Sequence, residues 1–360
     1  MRIIITAGGT GGHIYPALAI INKINELDKN SEILYIGTHN RMEKEIVPKA
    51  GYKYEEIEIY GFSKSLIRRN FKNIKLIIKA KKKCLNIMKE FKPDVVVGVG
   101  GYVTFPVIMA AHKLGIKTFI HEQNSIPGKS NRILGKYVDK IGVSFKDSMR
   151  YFDSNKCIFT GNPSSESAKS IKAISKTKYG LSRKNKSIVI VQGSLGSTTI
   201  NNKMKEFLTV IDDEDYDVLY ITGKNTYGEY VKNKFSKNVR IIDYVPDLPA
   251  LMKDVDLIIS RAGAGTISEL AALEKPNILI PSPFVANNHQ YYNALSINDA
   301  KAGEMIEEKD LTAYNLKAKI NKILKNKDYY HEMQNNLKKI SINNSSTIIY
   351  NELKNLIDKK

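Results

Sequence analysis

Four glycines in five positions, closed by a histidine, make Gly8-Gly9-Thr10-Gly11-Gly12-His13 the stretch of this chain best suited to chemistry. Glycines let the backbone approach a ligand closely and adopt positive φ. A helix starting behind them would aim free N–H groups and the positive end of its dipole at a phosphate or a developing anion. The stretch has no Lys-Ser/Thr as in a P-loop and lacks the GxGxxG spacing of dinucleotide folds. His13 could act as a general base near neutral pH. Taken alone, a histidine so placed is more often a hydrogen-bonded loop residue.

Five further stretches carry polar groups in similar settings. Gly100-Gly101-Tyr102 repeats the double glycine, with Tyr102 facing a ligand or packing in a core. His121-Glu122-Gln123-Asn124 concentrates an imidazole, a carboxylate and two amides just after the apolar run ending at Ile120, a set suited to sugar hydroxyls and an N-acetyl group. Gln192-Gly193-Ser194-Leu195-Gly196-Ser197 offers a second glycine loop, with the Ser194 hydroxyl as part of a diphosphate cradle. In Ser260–Glu269, Thr266 reads as a helix N-cap with Glu269 as its capping-box partner. The alternative is that Glu269 accepts both hydroxyls of a ribose. Asn287-Asn288-His289-Gln290 again places amides after a strand-like run.

The elements that must position these groups come in two similar sets. Strand-like runs at 2–6, 33–36, 95–99, 118–120 and 140–143 alternate with helical patterns, and so do runs at 187–191, 218–221, 239–242, 257–259 and 277–280. Continuous Val/Ile strands are buried on both faces, as in a parallel sheet covered by helices. Each set opens with a strand and a glycine loop. The expectation is therefore α/β: two Rossmann-like, doubly wound domains facing across a cleft, with ligands outside the carboxyl ends of the strands. The expected boundaries are 1–163 and 164–335, with 336–360 a helical tail packing back on the first domain.

Composition bounds the function. The chain has 360 residues, 42% of them apolar, and a mean hydropathy of −0.30, which excludes a disordered chain and a polytopic membrane protein. Fifty-six Lys and Arg against 37 Asp and Glu leave +19, which suits a polyanionic partner, although Lys- and Asn-rich usage without Trp also arises from AT-rich coding. Two cysteines make neither a disulfide framework nor a zinc cluster and fit a reducing compartment. The start reads as a buried strand, not a signal peptide. Residues 59–89 carry ten Lys or Arg, no acid, and interleaved Phe and Ile. That pattern suits an interfacial segment on anionic lipid, or else a core helix with a solvated lysine face. Nucleic acid is not expected as a partner, since no RNA-binding module is visible.

Taken in order, GGTGGH at 8–13, GGYVTFP at 100–106, HEQN at 121–124, GNP at 161–163, QGSLGS at 192–197, SRAGAGTISE at 260–269 and NNHQYYNA at 287–294 resemble the MurG family. These are the UDP-N-acetylglucosamine transferases that convert lipid I to lipid II in peptidoglycan synthesis. The likeness spans nearly the whole chain. It implies a GT-B glycosyltransferase on the cytoplasmic face of the membrane, with UDP-N-acetylglucosamine and undecaprenyl-pyrophosphoryl-MurNAc-pentapeptide as substrates and neither cofactor nor metal. It puts Thr10, Gly11 and Gly12 against sugar and diphosphate, with His13 the first candidate base and Glu122 the second. Asn124 and Gln290 would contact N-acetylglucosamine, Ser194 the phosphates, Val245 the uracil, and Ala264, Gly265, Thr266, Ile267 and Ser268 the diphosphate. Glu269 would hold the ribose. Tyr102, Asn131 and Asn201 match further family positions. Phe62, Leu66, Ile67, Arg68, Arg69, Phe71, Lys72 and Lys75 would touch the membrane. Three positions depart from the family pattern: Ser165 stands where an arginine is common, while Leu195 and His289 each replace a glutamine. A UDP-N-acetylglucosamine 2-epimerase, another lipid glycosyltransferase and a non-enzymatic basic protein remain as alternatives.

Overall fold

The alternation of short apolar strands with amphipathic helices folds into two sheets, each wholly parallel. The computed structural model describes residues 1–61, 67–192, 198–212 and 214–358; the side chains of 67–72 and 198–199 also lie outside the description. The chain divides into two compact units, one formed by Met1–Glu166 with Asn344–Lys360 and the other by Ser167–Asn343.

The first unit runs β1 (Arg2–Thr6), α1 (Gly11–Leu27), β2 (Glu32–Thr38), α2 (Glu43–Lys49), β3 (Lys53–Ile57), α3 (Ile67–Phe91), β4 (Val95–Gly98), α4 (Thr104–Lys113), β5 (Lys117–Glu122), α5 (Lys129–Leu134), β6 (Lys140–Val143) and β7 (Cys157–Phe159). Its seven strands lie in the order β3-β2-β1-β4-β5-β6-β7. Successive residues of a strand point to opposite faces. Ile3 and Ile5 therefore join Val95, Val97 and Phe119 in one buried layer with Ile14, Ile20 and Ile24 of α1. Ile4, Val96 and Ile120 enter the layer on the other face, with Val107 and Ala111 of α4 and Cys84 and Met88 of α3. Such two-sided burial is why these strands read as unbroken Val/Ile runs. β3 (KYEEI) and the three-residue β7 occupy the edges, where only one neighbour must be matched, and neither was expected from apolar runs.

The chain enters the second unit within α6 (Glu166–Ser170). There follow β8 (Lys186–Val191), α7 (Thr198–Thr209), β9 (Tyr216–Ile221), α8 (Tyr227–Tyr230), β10 (Val239–Ile242), α9 (Leu248–Met252), β11 (Leu257–Ser260), α10 (Ala264–Ala272), β12 (Asn277–Leu279), α11 (His289–Asp299), β13 (Glu304–Met305), α12 (Ala313–Leu324) and α13 (Lys327–Ile340). Six strands pair in the order β10-β9-β8-β11-β12-β13. The last helix, α14 (Ser345–Asp358), belongs to the first unit, where Ile349, Leu353 and Leu356 are buried in the α1 layer. Among the described residues no helix is long and apolar enough to cross a membrane.

Candidate active site

Strand order locates the first candidate site. Chain direction across the first sheet reverses between β1 and β4, which pair from Ile3–Val95 to Thr6–Gly98. A crevice opens at the carboxyl end of such a switch point, because the connections leave it in opposite directions. Both glycine stretches of this unit emerge there and are tied together: Gly8 N–H donates to Gly100 O (3.2 Å) and Val99 N–H to Thr6 O (2.8 Å). A Cβ on Gly101 would lie 2.4 Å from Gly8 O, and one on Gly100 2.6 Å from the His13 ring. These glycines are thus required by the interlocking of the two loops. Helix α1 starts at Gly11, earlier than the apolar pattern suggested, so Gly11, Gly12 and His13 form its first turn behind the N-cap Thr10. Thr10 and Gly12 are exposed, and His13 Nδ1 lies 3.1 Å from Gly8 O. Tyr102 accepts a hydrogen bond on its hydroxyl from Arg41 Nε at 3.3 Å.

At β5 the structure corrects one expectation. The strand continues through Glu122, so His121 and Glu122 are buried strand residues and only Gln123 and Asn124 begin the loop. Burial pushes the His121 imidazole down to about 4, so it is neutral at pH 7. Its Nε2 meets Gly161 O at 3.0 Å, fastening β5 to the chain beyond β7. Glu122 accepts from Asn124 N and Nδ2 (2.9 and 3.2 Å) on one oxygen, and from Gly128 N and Asn131 Nδ2 (3.0 and 2.9 Å) on the other. A carboxylate with both oxygens so engaged suits fixing Asn124 better than collecting a proton from a substrate. Ser165 is also buried, and its hydroxyl donates to Asn162 O at 2.8 Å. That bond ties Ser165 into its own turn.

The second unit repeats the design. Its order reverses between β8 and β11, paired from Ile188–Leu257 to Val191–Ser260. The loop after β11 enters α10 at Ala264 with Gly263 as N-cap, so Thr266 is not the cap and the expected capping box is absent. The first intrahelical bond runs from Ile267 N to Gly263 O at 3.0 Å. The amides of Ala264, Gly265 and Thr266 precede it and are the donors every helix start presents. Ser268 Oγ donates back to Ala264 O (2.8 Å). Glu269 therefore lies in the second turn with no capping duty, and burial pushes its carboxyl up to about 7. Asn293 Nδ2 braces this loop at Ala262 O (3.2 Å). Gln290 Oε1 accepts Ser282 N–H (2.9 Å), which leaves the amide NH₂ as the end able to meet a sugar. Asn287 and Asn288, before α11, both adopt left-handed backbone. Val245 is buried, its side chain committed to the core. Asn201 joins Thr226 Oγ1 (2.7 Å) and the hydroxyls of Tyr220 and Tyr230, and so ties α7 to β9 and α8.

Models of the glycosyltransferase family 28 N-terminal and C-terminal domains match residues 3–143 and 187–347. The chain belongs to glycosyltransferase family 28. A Bacillus cytotoxicus protein named UDP-N-acetylglucosamine--N-acetylmuramyl-(pentapeptide) pyrophosphoryl-undecaprenol N-acetylglucosamine transferase is 43% identical over 364 residues, covering 100% of both chains. The crystal structure of MurG from Acinetobacter baumannii, 25% identical, covers 98% of this chain and 99% of its own at a TM-score of 0.81. A putative UDP-N-acetylglucosamine 2-epimerase from Listeria monocytogenes shares the fold alone, at 13% identity, TM-score 0.75, and coverage of 100% and 97%. The two units of this family 28 chain are thus the N- and C-terminal halves of a GT-B glycosyltransferase.

Several expected site residues lie outside the described residues: Ser194, Phe62 and Leu66, and the side chains of Ile67, Arg68, Arg69, Phe71 and Lys72. Lys75 is described and exposed. Two residues of this family 28 chain, one outside the motifs and one at the head of QGSLGS, carry features to which the sequence reading gave no role. Glu43, fully buried at the start of α2, accepts the Gly9 N–H. Gln192 is buried just beyond β8, and among the described residues neither of its amide atoms has a partner. A glutamine directly after a buried strand, at the head of QGSLGS, was its signal in the sequence.

Proposed function

We propose that this chain transfers N-acetylglucosamine from UDP-N-acetylglucosamine to the C4 hydroxyl of undecaprenyl-pyrophosphoryl-MurNAc-pentapeptide, inverting the anomeric centre. The observation that carries this reading is end-to-end identity of 43% with a transferase of that name, coupled to glycine loops at both switch points.

The second unit is the donor half. The amides of Ala264, Gly265 and Thr266 meet the diphosphate, Glu269 the ribose hydroxyls, Val245 the uracil through its backbone, and Gln290 the sugar. The first unit binds the acceptor through the loops around His13 and Tyr102, with Asn124 held ready by Glu122 for the transferred sugar. The acceptor O4 attacks C1 as the C1–O bond to the diphosphate breaks, and the O4 proton passes to His13 Nε2. Negative charge growing on the departing UDP, left there by the breaking C1–O bond, meets the start of α10 and its amide N–H groups, which stabilise it most strongly as the bond breaks.

The lipid end requires a surface. α3 exposes Ile74 (47%) and Ile78 (66%), one turn apart, beside exposed Lys75, Lys79 and Lys82. Apolar anchors among lysines suit peripheral adsorption to the anionic cytoplasmic leaflet.

The test is an assay for UDP release. UDP should appear only when the lipid-linked acceptor or a short-chain analogue is present. Conversion of the donor to its 2-epimer without acceptor would end the reading. His13→Ala should lower kcat by about 10²–10⁴, the usual range for a general base. A loss within threefold excludes His13 from that role.

A further inference from the structure

Glu43 belongs to no glycine motif, yet it determines the shape of the first one. It is the first residue of α2 and is fully buried. One carboxylate oxygen accepts the Gly9 N–H at 3.2 Å. The other accepts the Thr38 N–H at 3.1 Å and the Thr38 hydroxyl at 2.6 Å. The surroundings are cut to fit it. A Cβ on Gly8 would stand 2.3 Å from Glu43 Oε1, and one on Gly37 2.8 Å from Glu43 Cγ and 2.3 Å from the Tyr54 hydroxyl oxygen. Tyr54 donates to Thr38 O (2.6 Å), and Tyr35, stacked on it, donates to Ala7 O (3.0 Å). Gly8 and Gly37 are therefore glycines because a carboxylate and a phenol fill the space beside them.

A carboxylate buried without an ion-pair partner is costly to desolvate even with three donors on it, and a packed apolar side chain could fill the space instead. Its retention calls for a use, and the Gly8–Gly9 peptide supplies one. The N–H of that peptide is held by Glu43, and its C=O meets His13 Nδ1 at 3.1 Å. A carbonyl can only accept, so Nδ1 carries the proton, and the neutral ring has its lone pair on Nε2. A carboxylate on the N–H end polarises the peptide and strengthens the oxygen at the other end as an acceptor, since hydrogen bonds in series reinforce one another. The arrangement is a carboxylate–imidazole pair with one peptide group between its members.

We propose that Glu43 is a positioning residue for the transfer reaction, clamping the Gly8–Gly9 peptide so that Gly8 O holds His13 in the Nδ1–H tautomer with Nε2 set to take the acceptor proton. The catalytic part rests on the reading of His13 as the base; the coupling between Glu43 and the His13 tautomer does not.

The experiment reads both separately in the full-length chain. Imidazole ¹⁵N shifts of His13 are recorded for the parent, Glu43→Gln and Thr38→Val. The amide of Glu43→Gln turns an N–H₂ toward donors that need an acceptor. Thr38→Val removes a single donor at constant shape and carries the test alone if Glu43→Gln does not fold. The parent should show the Nδ1–H tautomer, and the variants should shift it toward Nε2–H. Acceptor-dependent kcat should fall 10- to 100-fold in Glu43→Gln, while UDP affinity by calorimetry stays within twofold. An Nε2–H parent, or a tautomer unmoved in every folded variant, overturns the proposal. So does a parallel loss of kcat, UDP affinity and Tm, which marks general destabilisation. A tautomer that responds in a parent with no acceptor-dependent UDP release leaves the clamp standing and refutes the proposed function.

Discussion

Three carboxylates of this chain show how burial and partners assign different work to one functional group. Glu43 and Glu122 each spend both oxygens on fixed donors, and both read as holders of loops. Glu269 differs: among the described residues no donor meets its carboxyl, and burial raises it to about 7. The consequence has a definite sign. The folded carboxyl binds its proton more tightly than the unfolded one, so this group favours the fold at low pH, and the benefit fades as pH rises from about 4.5 to about 7. A ribose diol donating to the carboxylate stabilises the charged form and lowers the pKa. UDP binding should therefore release close to one proton near pH 6 and weaken toward lower pH, by up to tenfold per unit. Calorimetry in buffers of different protonation enthalpy measures this, and Glu269→Gln should abolish the release. Proton uptake in the parent would remove Glu269 from the ribose. The acidic residue was legible in the motif, but its freedom from a capping role was not, because the helix starts three residues earlier than the Thr266 cap implied, and the start decides which side chain can cap.

At the scale of elements, glycine loops and the strands before them were legible because buried parallel strands and tight turns leave strong local marks. Three of the four edge strands left weaker ones: β3 pairs only with β2, β7 only with β6 and β13 only with β12, while β10, paired only with β9, kept a readable apolar run. Helix α14 makes a further point. Its polar sequence hides a three-residue stripe, Ile349, Leu353 and Leu356, that enters the α1 layer far from it in the chain. Leu353 is fully buried, and Leu353→Ala should cost about 2–5 kcal/mol of first-unit stability in urea unfolding, the usual range for such a deletion. UDP binding by the second unit should be retained. A loss under 0.5 kcal/mol would show that α14 adds little to the core.

For the whole molecule, charge and architecture meet at the lipid substrate. The net +19 and the lysines flanking Ile74 and Ile78 predict adsorption to anionic vesicles that weakens steeply between about 0.1 and 1 M salt, where the Debye length falls from about 10 to 3 Å. Each basic residue near the surface contributes roughly 1 kcal/mol. Cosedimentation with vesicles with and without anionic lipid measures it, and salt-insensitive or equal binding to neutral vesicles would sink the electrostatic part. The sequence by itself determined the two-fold α/β plan, the family and the order of the polar stretches, since these depend on periodicity and on short contiguous motifs. Only the tertiary structure decided that the reversal between β1 and β4 joins residues 8–13 to 99–102, and that Glu43, 34 residues on from Gly9, accepts its N–H. Hydrogen bonds between loops depend on strand order and on the few ångströms a missing Cβ leaves open, and neither is written in any local stretch of chain.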